Sequence, residues 1–186
     1  ADNRYWVATS TSDWNDVSNW SSSSGGSIGA SVPGVNDVAI FNGGGLGNCD
    51  VNVSVSIGGL TLNAYTGIID LLGSSFTTTG TVNLATGTIN DTGGTSTLII
   101  NSTGTTIFSG TIFGARVDAT SARLRLSGST FNSASTFTKN SSGNDVGAGG
   151  NVFNAAVTLQ HLGSSYLRLA NSSPDTFNGD LTLIVG

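Results

Sequence analysis

The 186-residue chain has very few of the residues on which most enzymes and nucleic-acid-binding proteins depend. It contains one cysteine, one histidine, no methionine, two prolines and only six lysine and arginine residues together. A single cysteine excludes an intrachain disulfide and any CxxC metal or redox site. Six basic residues against eleven acidic ones, for a net charge of −5, leave no patch that could follow a nucleic-acid backbone or attract an anionic membrane surface. We therefore expect no nucleic-acid partner. We also expect no membrane insertion, since no apolar run approaches the roughly 20 residues that span a bilayer.

The residues that are abundant favour short strands and frequent turns. Ser, Thr, Asn and Gly dominate the chain, and Val, Ile, Thr and Phe supply most of the larger side chains. Glu, Lys, Gln and Met, which form helices well, are nearly absent. Hydrophobic residues still reach 37 % and recur in alternating runs, so the chain is able to bury a core. The composition predicts an all-β protein.

A Phe-Asn dipeptide recurs in the second half of the chain, at Phe131-Asn132, Phe153-Asn154 and Phe177-Asn178. The spacing is nearly constant, and Phe108 precedes Phe131 by a similar distance. Such a period, with two or three short strands in each repeat, predicts a right-handed parallel β-helix with about 22–24 residues per coil. A β-sandwich is the alternative, because it also uses many short strands. It does not, however, predict a nearly constant Phe-Asn spacing.

Residues that repeat once per coil stack on themselves in a solenoid. The three phenylalanines should form an inward aromatic ladder, and Asn132, Asn154 and Asn178 an amide ladder at a bend. Binding of a polar ligand is the functional alternative for these asparagines, but Asn also holds turns by itself.

The N-terminal part of the chain differs in character. Residues 1–47 hold all three tryptophans, Trp6, Trp14 and Trp20, whereas residues 48–186 carry the strand-like repeats. We expect 1–47 to form a cap that closes the N-terminal end of the solenoid, since open strand edges need a cover. A sugar-stacking platform is the functional alternative for the tryptophans. Cys49 alternates with polar residues on one apolar face and should be a buried, unreactive thiol.

Two sets of residues resemble known bacterial surface proteins. The opening of the chain resembles the start of many bacterial surface β-helix proteins, at Trp6 and residues 13–16, 19–21, 32–34 and 36–41. The late units, residues 167–173 and 175–183, resemble repeats of giant surface proteins of Bacteroidota. That group includes gliding adhesins that are cargo of the type IX secretion system. The resemblance implies a secreted protein on the outer-membrane exterior of a Gram-negative cell, and partners among further repeats of the same polypeptide, surface glycans and secretion machinery.

The sequence contains little from which a catalytic site could be built. His161 is the only histidine, and the densest charge group is Arg116, Asp118, Arg123 and Arg125. We interpret this group as a solvated strand face in which the arginines pair with Asp118, without the acidic cluster of a β-helical polysaccharide lyase. No catalytic, cofactor or metal site is therefore expected.

Two Asn-Asp pairs are the remaining candidates for a metal site. Asn36-Asp37 and Asn144-Asp145 are the candidates for calcium ligation, although neither has the spacing of a calcium loop.

The sequence thus predicts a non-enzymatic structural or adhesive stalk module of a larger cell-surface protein. The alternatives are a carbohydrate-binding module, which an exposed pair of tryptophans would favour, and a polysaccharide lyase, which a groove of three or more acids would favour. The apolar strand at 181–185 should be continued by further coils or covered by a partner.

Overall fold

The computed structural model describes residues 1–186 and contains 22 strands, most of them short. Their bounds are β1 Asn3–Trp6, β2 Ser12–Asp13, β3 Trp20–Ser21, β4 Val38–Phe41, β5 Cys49–Asp50, β6 Val55–Ile57, β7 Gly59–Leu62, β8 Ile68–Asp70, β9 Phe76–Thr78, β10 Val82–Leu84, β11 Thr88–Asn90, β12 Thr97–Phe108, β13 Ile112–Phe113, β14 Arg116–Leu126, β15 Thr130–Phe131, β16 Ser135–Lys139, β17 Asp145–Val146, β18 Val152–Phe153, β19 Val157–His161, β20 Leu167–Arg168, β21 Thr176–Phe177 and β22 Leu181–Val185. The one helical element is a three-residue 3-10 turn, Val17–Asn19. No helix is long and apolar enough to cross a membrane.

The strands stack in parallel as a β-solenoid of about seven turns, which confirms the predicted fold class. Each full coil contributes a strand to each of three faces. The first face consists of β2, β5, β8, β11, β13, β15, β18 and β21. The second consists of β6, β9, the 97–102 part of β12, the 116–121 part of β14, β16, β19 and β22. The third consists of β1, β4, β7, β10 and the later parts of β12 and β14, followed by β17 and β20.

Two strands are long because they turn the corner between the second and third faces without a break. The pairing of β12 with β14 shifts register between Ser102 and Thr105. A bulge of this kind bends a strand while most of its ladder hydrogen bonds persist. Residues 48–57, by contrast, form two strands, β5 and β6, although their apolar side chains alternate throughout. Cys49, Val51, Val55 and Ile57 are all buried, so the apolar face follows the corner into the interior.

Side chains that point inward along the strands form one continuous core. Thirty-three buried hydrophobic residues belong to a single cluster that runs from Trp6 to Leu159. Because alternate residues of a strand point to opposite sides, every second residue reaches this core and the intervening residues form the outer faces.

Coil length varies more than the Phe-Asn spacing suggests. The inward column of the first face passes through Cys49, Ile69, Ile89, Phe113, Phe131, Phe153 and Phe177, and its steps along the chain are unequal. The residue one coil before Phe131 is Phe113, which makes this step the shortest of the series. Phe108, which lies at the distance expected from the repeat, is on the third face and pairs with Leu84 and Leu126.

The N-terminal residues belong partly to the solenoid and partly to its cover. β1 and β4 pair in parallel on the third face, and β2 pairs with β5 on the first. β3 instead runs antiparallel to β1, at the end of the sheet, with Trp20 opposite Trp6. An antiparallel strand at this position ends the parallel stack, because β3 occupies the edge of β1 with which another parallel strand would have to pair.

Candidate functional surfaces

Four phenylalanines on the first face form a stacked column inside the solenoid. The ring centroids of Phe113 and Phe131 are 4.9 Å apart, and those of Phe131–Phe153 and Phe153–Phe177 are each 5.0 Å apart, with all three pairs within 6° of parallel. The spacing follows from the distance between neighbouring strands, about 4.8 Å. Because Phe131 and Phe153 are each 1 % exposed, this column is part of the core.

The predicted asparagines lie side by side on the outside of the same face. The Nδ2 of Asn154 donates to Oδ1 of Asn132 at 2.7 Å, and the Nδ2 of Asn178 donates to Oδ1 of Asn154 at 2.8 Å. An amide has both a donor and an acceptor, so identical side chains can bond in an unlimited series. Each of the three side chains is exposed, and their hydrogen bonds tie consecutive coils together at a corner.

This amide ladder is one half of a longer outer column that the sequence reasoning missed. Register pairing continues it toward the N terminus through Asn90, Asp70, Asp50 and Asp13. The signal was present in the sequence as an apolar residue followed by Asx, at Cys49-Asp50, Ile69-Asp70 and Ile89-Asn90 as well as at the Phe-Asn pairs. The steps between these positions differ from the Phe-Asn spacing, and position 114 is a glycine, so the two halves were not recognised as one column. We call the residues Asp13, Asp50, Asp70, Asn90, Asn132, Asn154 and Asn178 the Asx column.

Gly114 separates the acidic and the amide halves of the Asx column. A Cβ atom at this position would lie 2.2 Å from Oδ1 of Asn90. Asn90 therefore lies over the glycine and does not continue the ladder to Asn132.

Asp50, the middle carboxylate of the Asx column, is repelled by the carboxylates on both sides. Burial raises the pKa of Asp50, and the charges of Asp70 and Asp13 raise it further. Burial acts in the same direction on Asp70, but hydrogen bonds from the Thr92 side chain and from the Thr92 and Leu72 amides outweigh it and leave the pKa of Asp70 below its ordinary value. Asp50 is thus the member that carries the repulsion, because it lies between two carboxylates.

The tryptophans form a buried aromatic cluster at the N-terminal end. Trp6, Trp14 and Trp20 are 0–1 % exposed, and the ring of Trp20 lies edge-on to Trp14 at 4.8 Å and to Trp6 at 5.3 Å. The indole nitrogens of Trp6 and Trp20 donate to the carbonyls of Gly47 and Trp14. The rings are therefore packed and hydrogen-bonded inside, and none of them presents a face on which a sugar could stack.

The arginine group pairs with a residue other than the expected one. Arg123 Nε lies 3.0 Å from Oδ1 of Asp145 on the next coil, and Asp118 takes part in no ion pair. The Asp145 side chain is fully buried, and its second oxygen accepts the backbone N–H of Leu124 at 2.8 Å. The carboxylate thus accepts a backbone N–H of the preceding coil in the place of a ladder carbonyl. The expectation of an Arg–Asp118 pair was wrong because the true partner is distant in sequence but adjacent across coils.

Both Asn-Asp pairs hold structural carboxylates. Asp37 accepts the backbone N–H groups of Asp2 and Gly34, and these two hydrogen bonds are the main cause of its lowered pKa. Asp145 is engaged as described above. No group of three or more His, Cys, Asp or Glu side chains is arranged to hold a metal ion. Cys49 is buried and free, and burial raises the pKa of its thiol well above the ordinary value, which suppresses the reactive thiolate.

A shallow groove of about 280 Å³ crosses the outside of the second face. It contains Arg116 and Asp118 at one side and a row of threonines, Thr136, Thr158 and Thr182, on consecutive strands. Four hydrophobic residues, Val117, Ala134, Ala156 and Val157, complete the apolar part of its lining. Threonine hydroxyls one strand apart, beside a guanidinium and a carboxylate, offer donors and acceptors to a hydroxyl-rich ligand. The groove has no histidine and no second carboxylate.

The only lysine and the only histidine of the chain are neighbours inside the solenoid. Lys139 and His161 are register partners on β16 and β19, on the same side of the strands as the buried Phe137 and Leu159. Lys139 is 0 % exposed and its Nζ donates to the carbonyl of Ser141, while His161 Nε2 is buried without a hydrogen-bond partner. Neither residue faces the Thr-lined groove.

The C-terminal end of the solenoid is open and apolar. A cavity of about 320 Å³ is lined there by Leu159, His161, Leu167, Leu169, Leu183, Ile184 and Val185. Leu183 and Val185 are 64 % and 80 % exposed.

Comparison of the chain with protein-family models, with curated proteins and with solved structures finds no match.

Proposed function

We propose that this chain is a rigid, non-enzymatic structural and adhesive module of a secreted bacterial cell-surface protein. The observation that carries the proposal is the uninterrupted stacking of the coils. One core runs through the coils from Trp6 to Leu159, and the phenylalanine column and the amide hydrogen bonds link the later coils to one another. A solenoid built in this way is a spacer, because each coil adds about 4.8 Å of length while its outer faces remain free for other contacts.

Composition supports an exported location. A chain with a single buried cysteine, one lysine and a Ser/Thr-rich surface needs neither a reducing environment nor disulfide formation. The resemblance of its opening and its late units to Bacteroidota surface proteins supports the outer-membrane exterior, export by a type IX system, and a role in gliding or adhesion. Labelling of intact cells that carry the gene with antibody against residues 1–186 tests this location. A signal that appears only after permeabilisation would contradict it.

The adhesive contact is assigned to the groove on the second face. The row of Thr136, Thr158 and Thr182 repeats at the strand spacing and lies beside Arg116 and Asp118. These groups hydrogen-bond to sugar hydroxyls without any aromatic stacking, which fits weak contacts that gain strength when modules act together.

Beads coated with the chain test this assignment on polysaccharide-coated surfaces. We expect the triple variant Thr136→Val, Thr158→Val, Thr182→Val to lose adhesion, since valine keeps the shape and removes the hydroxyl. The matched control replaces Thr61, Thr77 and Thr88 by valine, which are outward strand residues that do not line the groove. Equal adhesion of the two triple variants would contradict the assignment.

A dedicated carbohydrate-binding module is the second candidate, and the same groove favours it. Saturable binding of one soluble oligosaccharide per chain would distinguish this candidate from weak multivalent adhesion. A lyase has less support, because the three aligned carboxylates, Asp13, Asp50 and Asp70, form a column on an outer face away from the groove that holds Arg116.

A further inference from the structure

The basic residues of the chain are concentrated on the outside of the third face. Three of the six, Arg123, Arg125 and Arg168, lie on β14 and β20. Arg123 and Arg125 flank the buried Leu124, so both point away from the core. Arg168 is exposed on β20. A chain with few cations thus places half of them on one outer surface.

Register brings two of these arginines into the same outer column. The backbone N–H of Leu124 donates to Asp145 at the start of β17, and Val146 pairs with Arg168 on β20. Val146 follows Asp145 and therefore lies beside Arg125, the residue that follows Leu124. Arg125 and Arg168 are thus separated by two strand spacings, about 9.6 Å between their backbones.

Only one of the three positive charges is neutralised within the chain. Arg123 Nε lies 3.0 Å from Oδ1 of Asp145, which is the only carboxylate on the strands that follow β10 on the third face. Arg125 makes no ion pair and no hydrogen bond, and Arg168 bonds only to the side-chain oxygen of Asn171, at 3.3 Å. Three guanidinium groups and one buried carboxylate leave two positive charges on this surface, although the net charge of the chain is −5.

An exposed aromatic ring lies beside the arginines. Tyr166 is 42 % exposed, and the guanidinium carbon of Arg168 lies 5.1 Å from the centroid of its ring. A cation over the ring favours one orientation of the tyrosine, and its apolar ring with a polar hydroxyl suits contact with a sugar. We call Arg123, Arg125, Tyr166 and Arg168 the arginine patch.

We propose that the arginine patch binds an acidic polysaccharide through the carboxylate groups of its uronic acid residues. A guanidinium group donates two parallel hydrogen bonds to a carboxylate, and Arg125 and Arg168 have donors free for this contact. None of the patch residues lines a cavity, so the site suits a polymer that lies across several coils rather than a small enclosed molecule. The patch is on a different face from the Thr-lined groove and does not depend on the adhesive role of that groove.

The acidic half of the Asx column in a second copy of the chain is the competing partner of opposite charge. Asp70, one of its three carboxylates, already accepts hydrogen bonds from Thr92 and Leu72. Two copies also repel each other, because each has a net charge of −5. The charges therefore favour the polysaccharide over a second copy.

Binding of the native chain to polygalacturonate tests the proposal, and the fully methyl-esterified polymer is the matched uncharged ligand. We expect the free acid to bind at least about tenfold more tightly at low salt, because esterification removes the charge-assisted hydrogen bonds. Salt at about 1 M should reduce the difference. Equal binding of the two polymers, or no binding of the free acid, would overturn the proposal.

Two double variants with the same change in net charge test the location. Arg125→Gln with Arg168→Gln removes two charges from the patch and should weaken binding of polygalacturonate at least about tenfold. Arg4→Gln with Ser22→Asp makes the same change in charge at the N-terminal end, where both residues are distant from the patch. This control should change binding by less than about twofold, because salt screens distant charges. Equal losses in the two variants would overturn the proposal, since net charge alone would then explain the binding.

Two further measurements distinguish other partners. Binding of dextran sulfate without binding of polygalacturonate would overturn the assignment to carboxylate groups. Sedimentation velocity of the chain alone reports self-association. A dimer that Arg125→Gln with Arg168→Gln abolishes would also overturn the proposal, because the patch would then serve a second copy, whereas a monomer in both cases leaves the arginines free for the polysaccharide.

Discussion

Asn154 bonds to an asparagine on each side, as donor to Asn132 at 2.7 Å and as acceptor from Asn178 at 2.8 Å. The three residues are far apart in sequence, and the solenoid brings them to the same corner. Their side chains are exposed to solvent, so each hydrogen bond competes with water and its net contribution is modest. The value of the ladder is that it requires one register, because a slipped coil would separate the amides.

Replacement of the central member tests this contribution. We expect Asn154→Ala to lower the free energy of unfolding by about 1 kcal/mol, since it removes two side-chain hydrogen bonds that are partly replaced by water. Urea denaturation measures the change. Asn101→Ala is the control, because Asn101 is an exposed strand residue on the outside of β12 whose side chain makes no hydrogen bond in the structure. Equal losses in the two variants would mean that the ladder adds no stability.

In the acidic half of the Asx column, removal of a charge should raise the free energy of unfolding rather than lower it. Asp50 lies between Asp13 and Asp70 in register, and like charges on neighbouring strands are destabilising. We expect Asp50→Asn to raise the free energy of unfolding at pH 7 by about 0.2–1 kcal/mol, and screening at a salt concentration of about 1 M to reduce the gain. A destabilised variant would indicate that the carboxylate has a partner at this position.

The raised pKa of Asp50 also predicts that the stability of the chain depends on pH. The pKa of Asp50 is raised above its ordinary value of 3.8 in the folded chain, so the folded state retains the proton in a pH range where the unfolded state has released it. The contribution of Asp50 to stability is therefore fully present below pH 3.8 and is lost as the pH rises through the folded pKa. Thermal unfolding of the native chain and of Asp50→Asn should coincide most closely at low pH and diverge as the pH rises. A constant difference across this range would contradict the assignment.

The phenylalanine column predicts a graded loss of stability. Phe153 is 1 % exposed with a ring stacked on each side, whereas Phe177 is half-buried and stacked on one side. We expect Phe153→Ala to cost about 3–5 kcal/mol, as for a fully buried aromatic residue, and Phe177→Ala to cost clearly less. Equal costs in denaturant titrations would mean that the end of the column is as well packed as its centre.

Much of this architecture could be predicted from the sequence, because each coil of a solenoid repeats a similar pattern of residues along the chain. The return of Phe-Asn predicted stacked coils, and alternation predicted that Cys49 and the phenylalanines point inward. The period also aligned Phe108 with Phe131, however, whereas Phe108 lies on the third face. The coil between Phe113 and Phe131 is shorter than the others, because only Gly114 and Ala115 separate β13 from β14, whereas residues 91–96 separate β11 from β12. A fixed spacing does not detect such shortening.

Contacts between coils that the Phe-Asn repeat does not mark were the part that the sequence analysis missed. Arg123 and Asp118 are close in sequence, but the carboxylate that Arg123 meets is Asp145 on the next coil. The acidic half of the Asx column was missed for the same reason. Asp13 and Asp50 are register partners, although most of the N-terminal segment lies between them in the sequence. Pairing of this kind depends on register, and register is a property of the folded stack.

The buried lysine gives the last prediction. Alternation from Phe137 places Lys139 inside, where it is 0 % exposed and donates only to the carbonyl of Ser141. Neither of the two ion pairs of the chain includes it. Burial of a polar group without full hydrogen bonding costs about 1–3 kcal/mol, so we expect Lys139→Met, which keeps the length of the side chain, to raise the free energy of unfolding by a similar amount. Lys139→Ala is the comparison, because it removes the amine but leaves a void, and it should gain less or lose stability. If Lys139→Met instead destabilises the chain in urea titrations, the ammonium makes a favourable interaction that the carbonyl of Ser141 alone does not explain.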